Sequence, residues 1–268
     1  MNENIEHYNQ DGTMLRKAQL RLLEMLEEVV KICKKHNINY WLDGGTALGA
    51  YRHKGFIPWD DDLDIAVMRK DYKRFLKILE KELPDRFIIQ NHNNEKYFHM
   101  LYARVVDKNS FFDYGNKQPF RNNFKHQGIF LDIFYIDRGN KFIKTIVDSI
   151  YIRSFRIIRN IPTPQNILIK ILAYPAWLFS IIVVKSIRLL SFLQPSEKLI
   201  YGFGVPFNWE FRKSEIFPVQ PILFEGKYFL GPKLPHEYLE RCFGNYMKIP
   251  PVEQRKTHAE KIEVYDVK

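Results

Sequence analysis

Two aspartates, Asp62 and Asp64, stand one residue apart in the sequence DDDLDIAV, which covers residues 60–67. Leu63 and Ile65 alternate with them, and this alternation predicts a β-strand with one buried face. Because side chains along a strand repeat with a period of two, both carboxylates point to the same side. Neighbouring carboxylates repel and raise each other's pKa unless a cation lies between them. Such oxygen ligands suit Mg2+ or Mn2+, and the alternative is a solvated acidic loop.

A glycine turn precedes this acidic segment. Gly44, Gly45 and Thr46 follow a short apolar strand and open a predicted helix. Backbone N–H groups and a hydroxyl at the start of a helix are suited to holding an anion. Such an anion site beside a pair of metal-binding carboxylates indicates phosphoryl or nucleotidyl transfer. The basic turn after the helix adds His53 and Lys54 as candidates for contacting the same phosphates, although Lys54 also fits a solvated turn.

The sequence GIFLDIFYI predicts a buried strand over residues 128–136. Its only charged residue is a third acid, Asp132. An ionised Asp in such a strand is costly unless it is paired or binds a cation. Another predicted strand, over residues 97–106, contains Arg104. Arg104 is either a ligand for a substrate phosphate or a strand residue that faces the surface.

The run GGTALGAYRHKGFIPWDDDLDIAV, residues 44–67, closely resembles the LicD family of phosphotransferases. That family includes bacterial phosphocholine transferases and the fukutin-related proteins, within the polymerase-beta-like nucleotidyltransferase superfamily. The sequence GIFLDIF from residue 128 resembles the family strand that carries a third acid. FGNYM from residue 243, the two prolines that follow, Arg255 and His258 resemble its closing segment. The resemblance spans nearly the whole chain.

This resemblance implies an α/β (α+β) fold with a nucleotidyltransferase-like mixed sheet and covering helices. The expected boundaries are a catalytic core over residues 1–137, a basic and apolar helical insertion over 138–195, and a C-terminal extension over 196–268. The implied reaction moves a phospho-alcohol group, such as phosphocholine, from a CDP-linked donor to a sugar hydroxyl. The acceptor is then a cell-surface glycan or a lipid-linked precursor, as in teichoic acid or lipopolysaccharide modification.

The resemblance also implies roles for individual residues. Asp62, Asp64 and Asp132 are the expected catalytic residues and ligands of one or two Mg2+ or Mn2+ ions, with Asp132 also taking the acceptor's proton. The expected ligands of the donor phosphates are Gly44, Gly45, Thr46, His53 and Lys54. Further candidates near the phosphates or the metal are Asp60, Asp61, Arg104, Arg255 and His258; Asp60 and Asp61 either complete the metal shell or fix their loop.

The positive charge of the chain is concentrated in one region. The net charge is +10, but residues 138–213 contain twelve Lys or Arg and only three acidic residues. This local excess favours one anionic surface as a partner and argues against a nucleic-acid binder. The basic residues are also interleaved with Ile, Leu and Val, whereas nucleic-acid binding favours aromatic stacking surfaces.

The same region is the most hydrophobic part of the chain. Residues 141–193 predict two helices separated by Pro162 and Pro164. The apolar core of the second helix, residues 171–184, is shorter than the roughly 20 residues of a membrane span, and Pro175 is predicted to interrupt it. The segment is therefore either a buried hairpin or a helical pair on an anionic membrane surface.

Other features of the sequence concern the compartment. The N-terminal residues are polar, and the two cysteines form no CxxC motif, so we expect a cytoplasmic protein at the inner face of the membrane. The oligomeric state stays open. Two other functions remain: a nucleotidyltransferase that leaves a nucleoside monophosphate on its acceptor, and a non-catalytic, cation-binding protein of the membrane surface.

Overall fold

The structure is a computed structural model, and it describes residues 5–117, 119–193, 196–255 and 257–265. Its strands are β1 (Tyr40–Leu42), β2 (Leu63–Met68), β3 (Phe87–Gln90), β4 (Ala103–Asp107), β5 (Ser110–Asp113), β6 (Phe130–Arg138), β7 (Lys198–Tyr201), β8 (Glu210–Arg212), β9 (Gln220–Phe224), β10 (Lys227–Gly231) and β11 (Lys261–Val264). Its α-helices are α1 (Met14–Lys35), α2 (Gly44–His53), α3 (Arg69–Glu82), α4 (Lys141–Ile158), α5 (Ile167–Leu193), α6 (Lys213–Ile216) and α7 (Pro235–Phe243).

A mixed sheet lies at the centre of the described residues. Its main path runs β1-β2-β6-β4-β3, and β7 extends it by pairing with the end of β6 and with β8. The β2–β6 pair is parallel and the other pairs are antiparallel. Strands β9 and β10 form a separate hairpin, and β11 pairs with β5. This mixed sheet with its helices confirms the predicted α+β class.

Helices α1 and α3 pack on the central sheet, while α2 packs on β2 and α7. Helix α1 begins at Thr13, whose hydroxyl accepts a hydrogen bond from the N–H of Arg16 (3.2 Å). This contact satisfies one of the free N–H groups that every helix start exposes. Helix α3 ends just before Pro84, which has no N–H with which to continue it.

The predicted strand over residues 97–106 is wrong in its first half, since β4 begins only at Ala103. Phe98, Met100 and Tyr102 are buried at alternate positions, as in a strand. However, Phe98 and Tyr102 pack against each other, and Phe98 also packs on Phe124, instead of pairing in a sheet. Aromatic packing in an irregular segment has therefore produced the same period of two as a strand.

The two predicted helices of the basic region are α4 and α5. Pro175 was expected to interrupt the second helix. This prediction is wrong, because α5 is 27 residues long and continues on both sides of Pro175. A proline removes one backbone hydrogen bond, and a helix of this length retains the others. In the described residues, one helical segment, Ile167–Ser191, is long and apolar enough to cross a membrane, judged by length and composition alone.

Helices α4 and α5 pack against each other, but the outward face of α5 is not covered. Leu172 is 74% exposed, and the other exposed large apolar side chains on α5 are Ile167, Leu168, Ile169, Ile171, Tyr174, Leu178, Phe179, Ile182, Leu189 and Leu190. On α4, Phe142 is 70% exposed. The alternative of a fully buried hairpin is therefore wrong.

The opposite face of α5 is fixed to the sheet. Ser180 and Val184 are buried, and Arg188 donates two hydrogen bonds to one carboxylate oxygen of Asp137 at the end of β6 (3.1 and 2.8 Å). The other oxygen of Asp137 pairs with Arg69 (3.0 Å). Helix α5 is thus attached to a central strand near the C-terminal end of the helix.

Candidate active site

The parallel pairing of β2 with β6 brings the predicted acids together. Asp64 and Asp132 are directly opposed in the register of these two strands, and Asp62 immediately precedes β2. On the other side of β6, Arg104 is opposite Asp132. Three carboxylates and one guanidinium therefore converge at the N-terminal ends of two neighbouring strands.

Asp132 forms a buried ion pair with Arg104. The Nε of Arg104 donates to Oδ1 of Asp132 (2.9 Å), and its Nη2 donates to Oδ2 (3.3 Å). Arg104 is only 1% exposed, and it also donates to the hydroxyl of Tyr114 (2.6 Å). A surface-facing Arg104 is therefore excluded. The pair offsets the burial of Asp132 and fixes its orientation, and Tyr102 also hydrogen-bonds to this carboxylate.

The start of α2 lies against the same acids. A Cβ added to Gly44 would stand 3.2 Å from Oδ2 of Asp64, and one added to Gly45 would stand 3.2 Å from Oδ2 of Asp60. Gly44 also has a φ of +47°, which other residues rarely adopt. The hydroxyl of Thr46 accepts a hydrogen bond from the N–H of Asp64 (2.8 Å). The glycine turn is thus packed directly on the carboxylates, and Thr46 joins α2 to β2.

Asp61 holds the C-terminal segment beside the site. Its Oδ1 accepts hydrogen bonds from the N–H (3.0 Å) and from Nδ1 (2.8 Å) of His258, and its Oδ2 accepts one from the N–H of Ala259 (2.8 Å). The Nδ1 of His258 also lies 3.5 Å from Oδ2 of Asp62. One ligand atom each from Asp60, Asp61, Asp62 and His258 lie within 4.8 Å of one another.

The acids of the site have raised pKa values. Burial raises the pKa of Asp62 to about 6, although His258 partly lowers it. Burial and then repulsion from Asp62 raise the pKa of Asp64 well above its usual value, and the same two causes act on Asp60. Hydrogen bonding to Asp61 and attraction to Asp62 raise the pKa of His258 to about 10. The carboxylates thus repel one another, while His258 is a cation at neutral pH.

A further buried carboxylate, Asp43, lies just before α2. Its Oδ1 accepts a hydrogen bond from the hydroxyl of Tyr238 on α7 (2.7 Å), and its Oδ2 accepts one from Tyr201 on β7 (2.7 Å). Burial raises the pKa of Asp43 to about 6, against the opposite effect of these hydrogen bonds. Asp43 also contributes to the raised pKa of Asp64, so it belongs to the same acidic group.

Two predicted phosphate ligands lie away from the glycine turn. His53 and Lys54 are at the opposite end of the ten-residue α2, about 14 Å from Gly44 along the helix axis. His53 accepts a hydrogen bond from Nε of Arg52 (2.8 Å), and burial lowers its pKa to about 4. Lys54 is exposed, and its Nζ donates to the carbonyl oxygen of Tyr51 (3.0 Å). The structure therefore does not bring these two residues together with the glycine turn.

Arg255 lies at the edge of the site. Its guanidinium carbon is 5.1 Å from the centre of the Trp59 ring, next to Asp60, and its Nε donates to the carbonyl oxygen of Pro250 (2.9 Å). Asp43, Tyr201 and Tyr238 were not predicted from the sequence as residues of the site. The position of Asp43 directly before the two glycines was a signal that it belongs to the site. The two tyrosines are distant in sequence, and only the fold brings them there.

The chain is similar to known transferases. Residues 37–166 match the family model described as "LicD/FKTN/FKRP, nucleotidyltransferase domain". The lipopolysaccharide cholinephosphotransferase LicD of Haemophilus influenzae is 30% identical over 262 residues, which cover 91% of this chain and 95% of that protein. The mouse ribitol 5-phosphate transferase FKRP is 38% identical over 65 residues, or 24% of this chain and 13% of FKRP. The mouse ribitol-5-phosphate transferase FKTN is 38% identical over 63 residues, with the same two coverages.

Proposed function

The chain belongs to the LicD family, and from this premise we propose that it transfers a phospho-alcohol group from a CDP-linked donor to a sugar hydroxyl. The acceptor is a cell-surface glycan or its lipid-linked precursor, and the reaction depends on Mg2+ or Mn2+. Relatives named as cholinephosphate and ribitol phosphate transferases support the class of reaction. Similarity along almost the whole chain to the cholinephosphotransferase favours phosphocholine as the group carried.

The observation that carries this proposal is the mutual repulsion of half-buried carboxylates. Partial burial and then repulsion from neighbouring carboxylates raise the pKa values of Asp60, Asp62 and Asp64. A hard divalent cation would relieve this repulsion, and it would also bring the charged diphosphate of a donor to the same place. The donor set of the site is dominated by carboxylate oxygens, which fits Mg2+ or Mn2+ better than it fits Zn2+.

Two groups of residues compete for this cation, and Asp62 belongs to both. The group of Asp60, Asp61, Asp62 and His258 includes a histidine whose pKa is raised to about 10. A protonated imidazole is not a metal ligand, and the oxygens of Asp61 already accept three hydrogen bonds. We therefore assign the cation to Asp62, Asp64 and Asp132, where it would neutralise the donor's phosphate charge during transfer.

The other steps belong to the chain itself. Arg104 orients Asp132 by its two hydrogen bonds, so that Asp132 is positioned to accept the proton of the acceptor hydroxyl. Burial raises the pKa of Asp132, and the charge of Arg104 lowers it in part. The N–H of Gly44 donates to the hydroxyl of Tyr238 (3.0 Å), so a donor phosphate would bind at the start of α2 through the N–H of Gly45.

The description of the matching domain favours nucleotidyl transfer as a second candidate function. The products that are released distinguish the two reactions. CDP-choline, CDP-glycerol and CDP-ribitol are incubated separately with the protein, Mg2+ and a sugar acceptor. Phospho-alcohol transfer releases CMP. Nucleotidyl transfer instead releases the phospho-alcohol from these donors, or pyrophosphate from CTP. CMP release that persists in an Asp64→Asn variant would contradict the proposed site.

We further infer that the protein acts at the inner face of the cytoplasmic membrane, with the α4–α5 hairpin lying on the bilayer. The exposed apolar residues of α5 favour burial in lipid. The basic residues of the same region favour anionic head groups, by about 1 kcal/mol for each residue near the surface. In this arrangement α5 lies along the membrane, and Arg188 and Asp137 hold its C-terminal end on the protein.

A further inference from the structure

A cleft of about 520 Å3 lies between α4 and the loop that follows β7. Its floor is neutral, because Lys144 donates to Asp148 and to the carbonyl oxygen of Val205 (2.7 Å). Asp148 also accepts a hydrogen bond from the N–H of Gly204 (2.9 Å). The buried acid and base of the cleft therefore satisfy each other. A volume of this size is typical of sites for drug-sized ligands.

The rim of the cleft carries uncompensated positive charge. Arg153 and Arg156 line it, and neither forms an ion pair or hydrogen bond with any residue in the ranges that the structure describes. The two residues are three positions apart on α4, so their side chains are neighbours on one helix face and their charges repel. A phosphate group between them would remove that repulsion, and guanidinium groups bind phosphate with paired hydrogen bonds.

The rest of the cleft is largely apolar. Ile152, Ile157, Pro162 and Val205 contribute to its wall. Next to it on α4, Ile146 is 51% exposed and Ile150 is 43% exposed. The cleft therefore joins a cationic rim to an apolar surface, which suits a ligand with a phosphate head and a hydrocarbon tail more closely than it suits a free anion.

We propose that this cleft binds the diphosphate head group of a lipid, with the lipid tail against the exposed apolar residues of α4. The proposal rests on the proposed function, since it identifies this lipid as the carrier of the sugar acceptor. It extends that function by placing the acceptor's anchor on α4, apart from the metal and the donor.

Farnesyl diphosphate is a suitable soluble probe, and its binding is measured by calorimetry in EDTA, so that no metal holds the diphosphate at the carboxylates. Inorganic diphosphate and farnesol serve as the head-only and tail-only probes. We expect farnesyl diphosphate to bind more tightly than either of them. Inorganic diphosphate binding as tightly as farnesyl diphosphate would overturn the proposal, because the site would then recognise a free anion.

Variants localise the binding. The double variant Arg153→Gln/Arg156→Gln should weaken farnesyl diphosphate binding at least tenfold, and Ser149→Trp, which fills the cleft without changing its charge, should weaken it similarly. The double variant Lys170→Gln/Lys185→Gln on α5 removes the same number of charges outside the cleft and is the matched control. An equal loss in this control, or full binding by Arg153→Gln/Arg156→Gln with an unchanged melting temperature, would overturn the proposal.

This experiment is independent of the one that tests the enzymatic reaction. Binding in EDTA involves neither the metal nor the CDP-linked donor, whereas CMP release depends on both. If farnesyl diphosphate does not bind the cleft but CMP is released, only the lipid site is contradicted. If farnesyl diphosphate binds the cleft but no CMP is released, the proposed function is contradicted and the lipid site is not.

Discussion

At the scale of single residues, burial and the neighbouring carboxylates oppose the ionisation of Asp62 and Asp64. Replacing Asp64 by Asn removes one repelling carboxylate, so without metal the melting temperature should stay the same or rise. We expect turnover in Mg2+ to fall by roughly a thousandfold or more, as for the loss of a metal ligand, and Asp62→Asn and Asp132→Asn to behave alike. The exposed Asp85→Asn is the control and should retain its activity. Near-normal turnover in Asp64→Asn would contradict the assignment.

The raised pKa of Asp62 also predicts how stability depends on pH. An unfolded Asp titrates near 3.8 and folded Asp62 near 6, so stability is highest below pH 3.8 and decreases as the pH rises toward 6. For Asp62 alone the loss is about 3 kcal/mol. His258 remains protonated through this window, since its pKa is about 10.

Thermal unfolding in EDTA between pH 4 and 8 measures this effect. Relative to Asp62→Asn, the melting temperature of the unchanged protein should fall with rising pH. This comparison cancels the effect of His53 and His99, whose lowered pKa values stabilise the fold as the pH rises. Mg2+ should raise the melting temperature at pH 8 much more than at pH 5, where protons occupy the carboxylates. A Mg2+ effect that is the same at both pH values would show that the acids are not the cation site.

The acidic pair was predictable from sequence because period-two alternation determines which strand residues share a face. The partner of Asp132 was not predictable in this way. Asp132 and Arg104 are 28 residues apart, and they meet only because β4 and β6 pair in one particular register. An Arg in an apolar strand gives no sign of whether it points outward or into a buried ion pair.

At the scale of elements, the start of α2 determines the space beside the acids. Gly45→Val would place carbon atoms against the carboxylate of Asp60, which lies 3.2 Å from the first of them. We expect this variant to weaken binding of Mn2+ and of the donor at least tenfold in calorimetry. Leu48→Val, in the same helix and buried, is the control and should lower stability by about 1 kcal/mol with little effect on binding. Unchanged binding in Gly45→Val would exclude the turn from the phosphate site.

The C-terminal segment is held by the three hydrogen bonds to Asp61. An Asn at this position has one acceptor oxygen, and its NH2 group would face an N–H donor. Asp61→Asn should therefore speed amide hydrogen exchange at His258 and Ala259, and it should lower turnover about tenfold, much less than Asp64→Asn does. Exchange as slow as in the unchanged protein would mean that the segment is held by other contacts.

Elements were predicted most reliably where the pattern was long. Two helices were expected in residues 141–193, and α4 and α5 are present. Their relation to the rest of the protein was not predictable, because the ion pair of Arg188 with Asp137 depends on a strand that ends before either helix begins. Sequence periodicity describes each helix alone, whereas burial depends on what packs against it.

At the scale of the whole molecule, the exposed face of α5 predicts membrane binding. The protein should pellet with vesicles that contain anionic lipid, much less with zwitterionic vesicles, and high salt should release only part of it. Leu172→Asp/Phe179→Asp should reduce pelleting at least tenfold, since both side chains are more than 60% exposed. Tyr228→Asp, at a residue that is 71% exposed on β10, is the control. Full recovery of the unchanged protein in the supernatant at low salt would contradict membrane binding.

Tyr201 and Tyr238 donate hydrogen bonds to the carboxylate of Asp43, and they come 158 and 195 residues after it in the sequence. A ribosome makes the chain from its N-terminus, so these partners emerge late, and the apolar hairpin emerges before either of them. If the hairpin binds lipid as proposed, the nascent chain reaches the membrane while the surroundings of Asp43 are still incomplete. The order of synthesis would then delay catalysis until the enzyme is already at the surface where its acceptor lies.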